Sequence, residues 1–214
     1  MFMKLGVVLT LVFGYVSSVL ADIPAFPSDC FIGKNFCSRS QVLHDQQNRR
    51  VIRAEIFVQM SKAEYSNYEE LKDLYFRFQD WPSYAGDSDS ITFIESTPKQ
   101  GPAPQSAIRH LAHYTTKAPW PVSHAEVFDL VEYKEIAKAT NVVYAVEFAQ
   151  VPDFSSRKGV KYNYGQLHLL DDQHDRWLVY FYSDVIPSMD ILPNVAAPFI
   201  LKPMEDILRG MFKQ

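Results

Sequence analysis

The six histidines and two cysteines are the side chains best suited to metal binding or nucleophilic chemistry, and their spacing favours neither. His110 and His113 lie three apart in a stretch read below as a strand, so they point to opposite faces and cannot share one metal without a bulge. His124 falls in a turn, and His168 and His174 flank a hairpin. No H-x-x-x-H pattern occurs, so surface or hydrogen-bonded histidines are expected, with no metal site. No G-x-S-x-G elbow is present, which leaves no serine placed as a nucleophile. Cys30 and Cys37 have six residues between them, which is not the C-x-x-C redox spacing. In an oxidising compartment such a pair closes a disulfide worth roughly 2–3 kcal/mol, the alternative being two free thiols. Glu132, Glu135 and Glu147 fall on outward strand positions and are expected to be solvated. No catalytic residue and no cofactor are assigned.

The aromatic residues offer more. Phe, Tyr and Trp make up 14% of the chain, including 15 Phe and 12 Tyr. Ligand cavities are mostly apolar with a few polar anchors. Val142, Tyr144, Val146 and Phe148 alternate onto one face of a strand, and Val160, Tyr162 and Tyr164 do the same on the next. Over 176–184 both faces are apolar, Trp177, Val179 and Phe181 against Leu178, Tyr180 and Tyr182, so the inward set there stays open. Alternation by itself describes a filled core as readily as a ligand wall.

These side chains need elements to hold them. Val51 to Met60 alternates strictly, with Ile52, Ala54, Ile56, Val58 and Met60 on one face, and reads as a strand. Leu71, Leu74, Tyr75 and Phe78 then switch to helical spacing, giving an amphipathic helix over Lys62 to Gln79 that Pro82 and Gly86 end. Strands follow at Ile91–Ser96, Ala107–Thr116, Val127–Ile136, Asn141–Gln150, Val160–Leu170 and Arg176–Asp184. Their spacing and turn residues suggest an antiparallel meander, with a hairpin turn at Asp171–Asp175. Pro193 to Phe212 returns to helical period, with Ile200, Met204, Ile207, Leu208 and Met211 on one face, Asn194 as a possible cap and a kink expected at Pro203. Asp22 to Asn48 lacks a pattern beyond a short helix near Ser40 to Asn48. A curved antiparallel sheet must cover its concave apolar face, and the last helix is long enough to do so.

The segment Ala118-Pro119-Trp120-Pro121-Val122-Ser123 resembles the signature of START (StAR-related lipid-transfer) domains, within the helix-grip superfamily. The Arg-Asp pair usual after that signature is replaced by Ala125 and Glu126. The Asp80-Trp81-Pro82 turn, and Ser183-Asp184 followed by Ile186-Pro187-Ser188 ahead of the last helix, are similar to the same family. The resemblance covers Val51 to Gln214. It implies an α+β helix-grip fold: a curved antiparallel β-sheet wrapped around a long C-terminal α-helix, with a hydrophobic ligand between them. It also turns the apolar sets into an expected lining of Trp81, Tyr144, Val146, Phe148, Tyr162, Tyr164 and Phe181, lidded by Ile200, Met204 and Ile207. The activity implied is binding or transfer of a lipid or other apolar small molecule. A cyclase-type enzyme acting on an aromatic or polyketide-like substrate in the same cavity is the alternative.

The ends and bulk properties set the context. Lys4 followed by the apolar run Leu5 to Val19, with Val19 and Ala21 before Asp22, has the form of a cleavable export signal. That run is shorter than the roughly 20 residues a spanning helix needs. Expected are a signal peptide at 1–21, an N-terminal extension at 22–48 pinned by Cys30 and Cys37, and a START-like domain at 49–214, exported to a periplasm or the exterior. The formal net charge of -4 offers no field for nucleic acid. A monomer touching membrane surfaces transiently fits a lipid carrier.

Overall fold

The structure is a computed structural model and describes residues 24, 26, 27, 31, 35–99, 108–117, 124–155, 160–187 and 192–213. The signature at 118–123, the leader and Cys30 lie outside the described residues.

Eight strands form one antiparallel sheet in the order β1-β2-β8-β7-β6-β5-β4-β3. They are β1 (Phe36–His44), β2 (Arg50–Ser61), β3 (Ile91–Lys99), β4 (Ile108–Thr116), β5 (Ala125–Glu135), β6 (Val142–Ser155), β7 (Val160–Asp171) and β8 (Arg176–Pro187). From β3 to β8 the chain is the expected meander. The last strand then pairs with β2, Ile56 opposite Phe181 and Val58 opposite Val179. Register shifts at Phe93/Glu95, Asp129/Val131, Val142/Tyr144 and Val160/Tyr162 mark bulges. Bulges bend their strands and increase local twist, which curves the sheet.

The sheet begins earlier than expected. Phe36 to His44 is a strand paired with β2, where an irregular extension and a short helix were anticipated. Asp45 makes the reversal: its carboxylate accepts the amides of Gln47 and Arg49 and the Arg49 Nε, and Asn48 adopts φ 57°. Only Phe36 and Cys37 of β1 are fully buried, so an edge strand with one wet face carried no strong apolar alternation to read. At the other end, Asp171 and Asp172 accept amides in the β7–β8 turn as anticipated, with Gln173 at φ 63°.

The single helix expected over 62–79 is divided. Helix α1 (Tyr68–Phe76) starts at Asn67, whose side chain accepts the Glu70 amide. A 3₁₀ turn (Phe78–Asp80) and short helix α2 (Trp81–Ala85) follow. Pro82 sits at the first turn of α2, where a missing N–H costs nothing, so it starts a helix rather than ending one. Phe78 leaves α1 but stays fully buried.

Helix α3 (Pro193–Met211) packs on α2, β1 and β2. Its N-cap is Leu192 rather than Asn194, and the helix runs on through Pro198 and Pro203 without interruption. Side chains fasten it at both flanks. Ser38 of β1 bonds Glu205, the Arg209 guanidinium lies 3.8 Å over the Phe36 ring, and Asp206 accepts from Ser88 and Ser90 ahead of β3. Gly210 is where α3 meets α2: a Cβ there would lie 1.7 Å from the Tyr84 carbonyl oxygen. Among the described residues no helix is long and apolar enough to cross a membrane.

The Gly210 contact predicts that Gly210→Ala forces α3 away from α2. Thermal unfolding should show a loss of about 1–3 kcal/mol, several degrees in Tm. A variant as stable as the parent would mean this crossing is not tightly set.

Candidate functional site

The pleat sorts the side chains onto two faces. The inner face carries Ile56, Val58 and Met60 of β2, Val131 and Tyr133 of β5, Tyr144, Val146 and Phe148 of β6, Leu167 and Leu169 of β7, and Trp177, Val179 and Phe181 of β8. Leu71 and Tyr75 of α1, Phe78, and Ile207, Leu208 and Met211 of α3 close over it. Phe148 and Phe181 stack 5.5 Å apart, and Tyr133 lies 5.7 Å from Phe148. Phe148 also crosses Gly165, where a Cβ would strike its ring and the Tyr182 carbonyl. Only glycine leaves room there.

Of the expected lining, Tyr144, Val146, Phe148, Phe181 and Ile207 are buried in this cluster, with Trp81 and Met204 packed at its margin. The Trp81 Nε1 donates to the Tyr75 carbonyl, 2.9 Å, which holds α2 against α1. Ile200 joins a small separate cluster with Ile52, Ala196 and Ala197. For β8 the open choice resolves to Trp177, Val179 and Phe181 inward.

Three expected orientations fail, those of Tyr164, Tyr162 and Val142. Tyr164 points to the outer face, packed beside Tyr182, and Tyr162 is 41% exposed. The alternation in β7 is as expected but its face is reversed, because Leu167 and Leu169 take the inward positions and carry Asn163 and Gly165 with them. Val142 is likewise outward, since the bulge between Val142 and Tyr144 breaks its phase with Tyr144. The outer face misled the reading because it too is covered. Phe26 packs edge-on to Phe57 at 5.2 Å and stacks with Phe31. Cys37, Phe57, Tyr180 and Tyr182 are buried there.

On the outer face the buried carboxylate has its donors, while His168 Nδ1, buried there beside Tyr180, has no hydrogen-bond partner among the described residues. Glu55, 2% exposed, accepts from Arg39 Nε at 2.7 Å, from Tyr180 Oη at 2.8 Å and from Gln41. Arg53 makes a two-pronged pair with Asp184, both contacts 2.7 Å, over the Tyr182 ring. Glu147, expected in solvent, is half-buried and accepts from Tyr164.

The inner face holds a different polar set, which the sequence pattern did not disclose. Asp129 of β5 is 2% exposed. Its Oδ1 accepts one hydrogen bond, from Gln150 Nε2 of β6 at 2.8 Å, and no described residue bonds its Oδ2. Next in line, Asn163 of β7 accepts from Ser183 Oγ of β8 at 2.7 Å. The pairings of Val131 with Gln150, Phe148 with Gly165 and Gly165 with Ser183 place these four residues as one row across β5, β6, β7 and β8. The row lies beyond Phe148 and Phe181, at the end of the inner face away from α1. Sequence offered one faint signal, an Asp in phase with Val127, Val131 and Tyr133.

Burial without a counter-charge pushes the Asp129 carboxyl up to about 7. Burial also pushes the Tyr114 and Tyr133 hydroxyls upward. His110 faces inward and His113 outward to Glu126, as strand periodicity requires. The His110 ring stacks 4.1 Å from Phe78 and its Nε2 meets Ser96 Oγ at 2.8 Å. Burial drives it down to about 3, so it is a neutral clamp between β4 and the 3₁₀ turn, not a proton carrier. Among the described residues no three His, Cys, Asp or Glu side chains gather to hold a metal.

No family model matches the chain, and no curated protein does. Solved structures match with high probability. One is a STAR-related lipid transfer protein from Xanthomonas axonopodis, 16% identical, with a TM-score of 0.55 over 81% of this chain and 97% of that one. Another is human STARD10, 13% identical, with a TM-score of 0.53 over 86% of this chain and 71% of that one.

Asp129 makes stability depend on pH. The unfolded carboxyl ionises near its ordinary 3.8 and the folded one near 7, so rising pH favours the unfolded chain across that window and has no further effect above it. Asp129→Asn should therefore match the parent near pH 4 and exceed it at pH 8, by about 1.4 kcal/mol per pH unit of the window. Denaturant unfolding at the two pH values measures the difference, and an equal change at both would sink the assignment.

With its curved sheet, gripping C-terminal helix and these structural matches, the chain has the START-type helix-grip fold.

Proposed function

We propose that this chain is an exported module that binds a lipid or other apolar small molecule between the inner face of its sheet and the helices that cover it. The observation that carries this reading is the Asp129–Gln150–Asn163–Ser183 row at one end of an otherwise apolar face. A self-sufficient core has no use for a buried carboxyl with a single hydrogen bond, since desolvating it costs free energy. An amphiphile has a use for it: an apolar body along Phe148 and Phe181, and a polar end at the row. Likeness to a lipid transfer protein and to STARD10 supports the same class of ligand. The module acts as a monomer. The exposed apolar Leu192 and Val195 at the start of α3 suit brief contact with a membrane surface.

The alternative is a cyclase-type enzyme that uses Asp129 as general acid and base, favoured by its near-neutral ionisation. One experiment addresses both readings. Native mass spectrometry of the purified protein, with extraction of whatever is bound, should show a co-purifying apolar molecule, and the emptied protein should take up N-phenyl-1-naphthylamine. Recovery of an added substrate in altered form would favour the enzyme. A protein that carries nothing and takes up no probe would refute both.

Export rests on Lys4, the apolar run and the small residues before Asp22. No free cysteine occurs among the described residues, which accords with a Cys30–Cys37 disulfide tying the Phe26 and Phe31 region to β1. Intact-mass analysis of exported protein should find an N-terminus at Asp22 and a mass two hydrogens below the dithiol form. Protein retained inside the cell with its leader attached would overturn the assignment.

A further inference from the structure

We infer that Asp129 selects the head group of the bound amphiphile, admitting a neutral hydroxyl or carbonyl and refusing a carboxylate or phosphate. This rests on the binding function proposed above and deepens it. Everything in the row is neutral or acidic: Asp129, Gln150, Asn163 and Ser183. Gln150 spends one donor on Asp129, and Asn163 Oδ1 is occupied by Ser183, so the Asn163 amide donors and the open Asp129 Oδ2 are what a head group meets.

Several cations among the described residues are committed elsewhere, and Lys161 of β7, two residues from Asn163, is exposed. Arg39, Arg53 and Arg109 pair with Glu55, Asp184 and Glu132 on the outer face. Arg209 lies over Phe36, and Lys202 bonds Asp206. Lys72 reaches the inner face, but 5.1 Å over the Tyr144 ring and paired with Glu69. Gln150 lies six positions along β6 from Tyr144, about 20 Å at strand rise. An anionic head at the row would therefore meet a carboxylate in a desolvated setting with no counter-ion from the committed cations, and two like charges cannot both ionise cheaply there. A hydroxyl instead donates to the Asp129 carboxylate and accepts from the Asn163 amide.

The titratable groups sharing this interior do not blur the effect at pH 8. Tyr114 of β4 and Tyr133 of β5 stay protonated, and His110 of β4 stays neutral. On α3, Glu205 and Asp206 are bonded to Ser38 and to Ser88 and Ser90.

The test compares parinaryl alcohol with parinaric acid, fluorescent probes with one chain and two heads, titrated at pH 8 into the full exported protein. The parent should bind the alcohol about tenfold more tightly than the acid. Asp129→Asn, nearly isosteric and checked for folding by circular dichroism, should reduce that ratio to within about threefold, chiefly by admitting the acid. Equal binding of both heads by the parent, or a ratio unchanged in the variant, would overturn the selection while leaving a binding function standing. If neither head binds and N-phenyl-1-naphthylamine is also refused, the binding function fails and the inference with it.

Discussion

Everything in this molecule depends on the pairing of β8 with β2. That ladder brings the end of the meander back to a strand made before the first helix, and its inner side chains, Ile56, Val58, Val179 and Phe181, form the floor under the helices. Because the pairing is between strands far apart in sequence, the loop-closure cost is recovered only when both faces gain cover. The inner face is covered by α1, the 3₁₀ turn and α3. The outer face receives Phe26 and Phe31.

The two faces treat their buried charge in opposite ways. Outside, each buried carboxylate has donors: Glu55 receives three, and Asp184 is clamped by a guanidinium. Carboxylates so satisfied stabilise the local geometry and leave little for a partner to bond. Inside, Asp129 has one neutral donor and its ionisation moves toward neutrality as a result. Incomplete satisfaction of a buried group is expensive, and it is tolerated where a site has work for it. The contrast between Glu55 and Asp129, equally buried, is the reason the proposed site is placed on the inner face.

The covering helix supports this division. Its attachments are lateral, to Ser38, Phe36, Ser88 and Ser90, and its crossing with α2 is set by the missing side chain at Gly210. Fastening α3 at its flanks positions Ile207, Leu208 and Met211 over the aromatic floor without the helix having to bond the floor itself. The aromatic residues beneath can therefore serve either as packing or as the wall of a site.

Much of this was legible from residue order. Period-two alternation in β2 and β4 to β8, the turn chemistry of Asp171 and Asp172, and the helical stripe of α3 are local patterns, and each forms where its pattern lies. The short helix at Trp81 and the edge strand β1 were not legible: one is held by Phe78 and Tyr75 rather than by its own propensity, and the other has a wet face that hides its period. Alternation states that two faces exist but not which one turns inward. Tyr164 and Phe148 look alike in sequence, and only the register of β7 against β8, with the outer cover over Tyr182, sends them to opposite sides. Asp129 shows the same limit most clearly. Its place on a strand follows from its neighbours in the chain. Its burial, its lone hydrogen bond and its company of Gln150, Asn163 and Ser183 come from four strands brought side by side, because solvation and hydrogen-bond partners are properties of three-dimensional surroundings.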